Sequence, residues 1–365
     1  MDRPGPSDVI WDITYACPLR CVHCYSESGR RPGRQLSLDD MLKVADAIIS
    51  LAPQAVELAG GEPLLVKGVY EVAERISRAG IAVNLYTSGW TMTASVAEEA
   101  ARVFSRITVS VDGADAATHD RIRGRSGSFD RAMEALALLE DVSLQRTMRG
   151  GDPVLFGLDC VVMRGNFHQM SELCRVVASR FSEMRFLTFG AVAPSGLASR
   201  PGFSDRELLT DEQLKTLTST EHRQGLQNLV PATVRVATTD NFILQMNPAV
   251  VERFGFPFME IEPDGQVRAM PVYEGTVGSL LDEDPQALWA RAVARWSDPF
   301  VVDALRSVRT WADWAEATRL IDYRFGSDEV RKRIGRRPEY RVQASDDAPG
   351  EGQKADRRPR PPSPL

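Results

Sequence analysis

Cys17, Cys21 and Cys24 follow the pattern C-x3-C-x2-C, within Cys-Pro-Leu-Arg-Cys-Val-His-Cys. The chain has five cysteines in 365 residues, so three in so short a stretch are concentrated. Thiolates are the usual ligands of iron–sulfur clusters, which normally take four. Three cysteines at this spacing can hold three corners of one four-iron, four-sulfur cluster. One iron then stays open, and an open iron can chelate a substrate or cofactor. Zinc is the competing reading, because it takes Cys and His tetrahedrally. His23 directly precedes Cys24, which makes chelation by both awkward, and no second ligand pair follows nearby. Disulfides fit less well: the cysteine count is odd and no secretory signal is evident.

The elements around these cysteines predict where they sit. Short apolar runs alternate with amphipathic segments from residue 8 to about 240. Strands are expected over 9–14, 55–59, 81–87, 106–112, 154–163 and 184–190. Helices are expected from Ser37, with Asp40 in a capping-box-like start, to about 50, then over 69–78, 94–104, 129–139 and 167–181. Gly80 suits a C′ position and Ser128 an N-cap. Phe167, Met170, Leu173, Cys174 and Val177 fall on one helix face. Such alternation predicts parallel β/α units, and six of them make a partial (β/α)6 barrel of the α/β class. Barrel chemistry sits on the loops after the strands. The cysteines follow the first strand, Gly60-Gly61-Glu62-Pro63 the second and Thr87-Ser88-Gly89 the third.

Taken alone, Gly-Gly-Glu-Pro is an ordinary βα turn, although glycines also let a backbone approach a ligand. Ser110 and Asp112 share one face of the fourth strand by its period of two. Asp159 is a carboxylate in an apolar strand. Facing outward it would be pressed unpaired under a helix, so it is expected to point inward. Parity then turns Cys160 toward the helices, and Cys174 joins a helix core face, both as structural residues.

Together these motifs resemble the radical S-adenosylmethionine (SAM) superfamily. Residues 8–200 resemble the core of the mycofactocin, pyrroloquinoline-quinone and heme d1 maturation enzymes, including Trp11-Asp-Ile-Thr and Ser-Gly-Arg-Arg at 28–31. The resemblance implies one cluster on Cys17, Cys21 and Cys24, SAM on the open iron, and reductive cleavage of SAM to a 5′-deoxyadenosyl radical. It implies SAM contacts from Gly60, Gly61, Glu62 and Pro63, from Ser88 (where the family has Asn), and from Ser110 and Asp112. Arg123 would pair with the SAM carboxylate, with Arg121 and Arg125 as alternatives. Tyr25 would pack near the adenine or simply within its loop, and Asp159 would face the ribose or the substrate. An electron donor such as flavodoxin or ferredoxin is implied as partner.

The relatives carry a cysteine-rich C-terminal lobe called SPASM, with auxiliary clusters. Residues 258–289 keep its outline, with a Pro-Asp-Gly hairpin turn, but Met259 and Met270 stand where cysteines are expected. No cysteine follows Cys174. A degenerate SPASM-like lobe without its metal is therefore expected. Trp289, Trp296, Trp311 and Trp314 are read as its core. The expected division is 1–240 core, 241–342 lobe and 343–365 disordered tail, the last being polar and rich in Pro, Gly and charge.

Composition narrows the partners. No apolar run approaches the roughly 20 residues of a membrane helix, and the cysteine usage indicates a reducing cytoplasm. Net charge is −6, without a basic stripe over the folded part, which argues against nucleic acid. The expected activity is hydrogen abstraction from a biosynthetic substrate, either a peptide or a small molecule such as a sugar, nucleoside or tetrapyrrole. The first strand begins by residue 9, which leaves no recognisable N-terminal peptide-recognition domain. A non-catalytic metal-binding scaffold is the alternative of another class, and the Gly-Gly-Glu-Pro loop argues against it.

Overall fold

The computed structural model describes residues 5–255 and 257–340. Ten described strands form one sheet: β1 Asp8–Thr14, β2 Ala55–Gly60, β3 Ala82–Thr87, β4 Arg106–Ser110, β5 Phe156–Val162, β6 Phe186–Ala191, β7 Arg235–Thr239, β8 Phe258–Ile261, β9 Gln266–Arg268 and β10 Thr276–Ser279. Their order is β10-β9-β8-β1-β2-β3-β4-β5-β6-β7. Strands β1 to β7 run parallel in chain order, and β8 lies parallel on the other side of β1. The sheet does not close, which makes a partial barrel.

The period of two sorts each strand. Val56 and Leu58, Val83 and Leu85, Ile107 and Val109, and Leu158, Cys160 and Val162 are buried. Their alternates, Glu57, Tyr86, Ser110 and Asp159, line an internal cavity. Parallel strands covered on the outer face by helices need this apolar outer set. The inner set is free to be polar.

Helix ends follow local chemistry. The helix Leu38–Leu51 starts where the Ser37 hydroxyl accepts from the Asp40 N–H. It buries Met41, Val44, Ala45, Ile48 and Leu51. The helix expected over 129–139 is longer, Ser128–Met148, and Ser128 is its first residue and not its cap. The Asp120 carboxylate takes the capping role, accepting from Gly127 N, the Ser128 hydroxyl and Phe129 N. The segment expected as one helix over 167–181 is broken into Phe167–Gln169, Met170–Val176 and Ala178–Arg180. At its start the Gln169 side chain is tied to Ala114 N and to Asp115 and Thr118, so the first turn stays tight. Met170, Leu173, Cys174 and Val177 are buried as expected. Gly80 stands one position later than expected, because the helix Val69–Ser77 ends on Arg78.

A seventh parallel strand, β7, extends the six units. Its alternation is short, and the Gln227 side chain pins it by bridging Val234 O and Val236 N. The hairpin β8–β9 turns at Gly265, whose φ is +81. Pairing of β8 with β1 joins the C-terminal segment to the barrel through the sheet. The tail expected over 343–365 lies outside the described residues.

Met259 and Met270 are buried in the hairpin core. The four tryptophans are buried in two pairs. Trp289 meets Trp296 edge-on at 5.4 Å, and Trp311 meets Trp314 at 5.2 Å. Their N–H groups reach acceptors: Trp296 to Ala269 O, Trp311 to Val192 O, and Trp314 to the Tyr273 hydroxyl at 2.6 Å. The last bond fastens the helix Trp311–Phe325 to the segment after β9. In Tyr273→Phe the buried Trp314 N–H loses its acceptor. The expected cost is about 1–3 kcal/mol. Urea unfolding should show a lower midpoint at unchanged slope; an unchanged midpoint would refute this account of the joint.

Candidate active site

The loops leaving β1 to β4 converge on one cavity. Cys17, Cys21 and Cys24 line it, together with Tyr25, Gly60, Gly61, Ser88, Ser110, Arg123 and Asp159. Glu62, Pro63 and Asp112 are buried and do not line it. The structure thus separates the predicted residues into groups facing the cavity and groups that hold those in place.

The glycines serve a backbone contact. Gly60 has φ +98, and a Cβ there would lie 2.7 Å from Thr14 O. A Cβ on Gly61 would lie 2.1 Å from Ala16 O. Gly61 N donates to Thr14 O at 2.7 Å and Glu62 N to Ala16 O at 2.9 Å. The loop after β2 is thereby locked to the chain entering the cysteines.

Glu62 carries that lock to β3. It is wholly buried and accepts from the Thr87 hydroxyl at 2.8 Å, Ser88 N at 2.9 Å and the Ser88 hydroxyl. Burial raises its pKa, and these donors oppose the shift. The Ser88 side chain is therefore spent on Glu62.

Asp112 is the corresponding anchor below β4. Its Oδ2 lies 2.7 Å from Arg123 Nε in an ion pair and 3.0 Å from His23 Nε2, and its Oδ1 accepts from Val161 N at 2.9 Å. Burial alone would raise its pKa, but the Arg123 guanidinium and the His23 hydrogen bond hold it well below the usual carboxylate range. Arg123 is buried, with Nη1 3.9 Å from Cys21 Sγ. Of the three arginines Arg123 lines this cavity, whereas Arg121 and Arg125 line a separate one at the surface.

Each thiol has a donor nearby. Leu19 N lies 3.5 Å from Cys17 Sγ, the Ser26 hydroxyl 3.5 Å from Cys24 Sγ, and Arg123 beside Cys21. Burial, and then the neighbouring Cys21, pushes the Cys17 thiol up to about 12. Burial pushes Cys21 up to about 11 against the pull of Arg123. Crowded, desolvated thiols with donors at each sulfur suit a polycation as counter-charge. This fits an iron–sulfur cluster, whose ligands are thiolates and whose potential responds to hydrogen bonds at sulfur. Zinc fits poorly. His23 is turned to Asp112, and among the described residues no three His, Cys, Asp or Glu side chains gather around a single ion.

Several cavity residues were not singled out from the sequence. Glu57 and Tyr86 project inward from β2 and β3; Glu260 and Val272 come from the C-terminal segment. Strand parity marks the first two, since Tyr86 shares its face with Ser88. The Tyr25 hydroxyl donates to Asp12 at 2.6 Å while its side chain lines the cavity. Cys160 and Cys174 are buried and do not line it.

Asp159 points into the cavity from β5, as its parity requires. Burial first, and then the charge of Asp112, pushes its carboxyl up to about 7, while Arg123 and Arg106 oppose. The folded pKa lies above the unfolded value of roughly 3.9. The folded state therefore keeps a proton that the unfolded chain releases, and the site's contribution to stability falls as pH rises from about 4 to 7. Asp159→Asn removes that dependence. Relative to the parent, the variant should gain stability between pH 5 and pH 8 in urea unfolding of the metal-free protein. A constant difference across that range would sink the assignment.

The profile of the Radical SAM superfamily matches residues 11–152. Over 193 residues the chain is 31% identical to mycofactocin maturase MftC of Mycolicibacterium smegmatis, covering 53% of this chain and 46% of the relative. Over 137 residues it is 36% identical to AdoMet-dependent heme synthase of Methanosarcina barkeri, covering 37% and 39%. The chain thus spans less than half the length of these curated relatives. Its fold matches that of SuiB of Streptococcus suis bound to precursor peptide SuiA, with a TM-score of 0.61 at 15% identity, covering 93% of this chain and 76% of the other. Residues 11–152 form a domain of the radical SAM superfamily.

Proposed function

We propose that the chain is a radical SAM enzyme acting on a peptide natural product or cofactor precursor. The convergence of Cys17, Cys21 and Cys24 on one cavity with Gly60, Gly61, Ser110 and Arg123 carries this reading. When bound, the cluster and SAM supply reductive cleavage to a 5′-deoxyadenosyl radical, with the electron delivered by a donor such as flavodoxin or ferredoxin.

The chain's own residues do the positioning. The three thiolates anchor the cluster from the loop after β1. The backbone of Gly60 and Gly61 and the Ser110 hydroxyl border the space beside it for SAM. Arg123 places a positive charge between Cys21 and that space, and Asp112 fixes its orientation. Tyr25 borders the same space, and Asp159 supplies a protonatable group deeper in the barrel. Glu62, Pro63, Ser88 and Asp112 act as positioning residues. A precursor peptide is the favoured substrate, because the first of these relatives is a maturase and the matched SuiB structure holds a precursor peptide.

Cys21→Ala should abolish formation of 5′-deoxyadenosine, and the anaerobically reconstituted parent should hold about four irons. Near eight irons, stoichiometric zinc, or cleavage surviving in the variant would overturn the site.

The C-terminal segment has no cysteine after Cys174, and its Met259 and Met270 are buried. A thioether is a poor substitute for a thiolate at such clusters. We propose a single cluster and a redox-neutral outcome, such as an epimerisation, rearrangement or elimination. Product mass decides this. A product two hydrogens lighter than its substrate, made by protein holding one cluster, would place the reaction among oxidations instead.

A further inference from the structure

The outer side of the cysteine loop carries a concentration of positive charge that the chemistry above does not use. Arg20, Arg30, Arg121, Arg125 and Arg200 line one surface cavity. Among the described ion pairs none involves any of these five. Their setting is an acidic chain, with net charge −6. Two acids, Asp120 and Glu339, share the rim with the five arginines. Asp120 accepts from Gly127 N, the Ser128 hydroxyl and Phe129 N.

The patch is bound to the cysteine loop itself. Arg125 donates to Pro18 O at 2.7 Å, Arg30 to Arg20 O and to Cys21 O, and Arg200 to Val22 O at 2.9 Å. Arg20 N and Val22 N in turn donate to Arg123 O and Ile122 O. The guanidiniums therefore sit on the backbone that carries Cys21, on the side away from the cavity. Among the described hydrogen bonds none joins the Arg20 or Arg121 side chain to that loop, and Arg20 is exposed.

We propose that this arginine face is the docking surface for an acidic one-electron donor protein, placed so that its redox centre comes close to the Cys21 corner of the cluster. The proposal rests on the radical SAM reading above. A patch with five arginines against two acids on an acidic protein attracts a negatively charged partner over the Debye length and raises its association rate. Complementary potentials also fix the orientation of the encounter. Electron tunnelling falls steeply with distance, so a face formed by the loop's own backbone is the short route. The step is a one-electron exchange. The donor's reduced centre is oxidised by one electron, and the cluster is reduced by one.

The test uses the double variant Arg20→Glu/Arg121→Glu, which leaves the arginines that hold the loop in place, with an acidic flavodoxin as probe. Binding of the oxidised flavodoxin, measured by calorimetry on apo and reconstituted protein, should weaken roughly tenfold or more. The parent's affinity should fall with added salt, and the variant's should depend on salt much less. In SAM cleavage the KM for reduced flavodoxin should rise by a similar factor, while dithionite-driven cleavage and iron content stay at the parent's level. Unchanged flavodoxin binding would overturn the proposal, and so would a patch occupied by an acidic peptide while flavodoxin turnover persists. Equal losses with dithionite, or lost iron, would show that these arginines only support the loop. A parent that cleaves no SAM with either reductant would refute the proposed function, and the binding measurement would still decide the docking face.

Discussion

Two backbones meet at the ends of β1 and β2 closer than any side chain allows. Gly61 faces the carbonyl of Ala16 where a Cβ would overlap it, and Gly60 bends away at a positive φ against Thr14. Everything around the cavity depends on this contact. It fixes where the cysteine loop leaves the sheet, because Gly61 N and Glu62 N hydrogen-bond the carbonyls of Thr14 and Ala16. It also sets the position of Glu62, whose carboxylate then gathers Thr87 and Ser88 from the end of β3. Three loops are thus registered by one close approach and one buried acid.

Buried charge does the same on the far side. Asp112 and Arg123 form an ion pair almost without solvent, with His23 on the same carboxylate oxygen. Such a pair is weak evidence for stability, since desolvation offsets most of the Coulomb attraction. Its effect here is on geometry. Removing either partner would leave an unpaired charge beside Cys21, so the pair favours one arrangement of the thiol and its guanidinium. A second buried group, Arg268 with Glu260 and Glu262, performs a similar service for the C-terminal segment. Glu260 also accepts from Val272 N, where the backbone takes the left-handed φ of +61 that a β-branched residue seldom adopts.

The sequence made the strand order, the loop carrying each motif and the inward turn of Asp159 legible, because each follows from a period of two or from unusual residue types at close spacing. What it concealed was relational. Nothing local says that Asp120 caps the helix starting at Ser128, or that Gln169 reaches Ala114 and breaks a run of helical apolar spacing. β7 has too short an alternation to stand out. The glycines were legible as special, but they admit the chain's own backbone, and this depends on two strands paired in register. Likewise Ser88 reads as a cavity hydroxyl, and only the placement of Glu62 shows that its hydrogen bond is already used.

The C-terminal segment is held in place by contacts that do not depend on its internal chemistry. β8 is held beside β1 by backbone pairing, which is indifferent to side chains. The interior around Met259 and Met270 is filled by flexible thioethers, which suit irregular gaps. Trp296 donates to Ala269 O, directly before Met270. What the segment presents inward does depend on side chains. Phe258, Glu260 and Val272 complete the cavity wall opposite β2 and β3. The wall nearest the cysteines is set by hydrogen bonds among backbone and buried acids, and tolerates little change. The opposite wall is set by a hairpin whose register comes from backbone pairing, with Glu260 tied to Arg268 and to Val272 N. Phe258, which takes part in neither buried ion pair, can therefore change and reshape that wall without disturbing the thiols, and this division follows from which contacts are made by backbone and which by side chain.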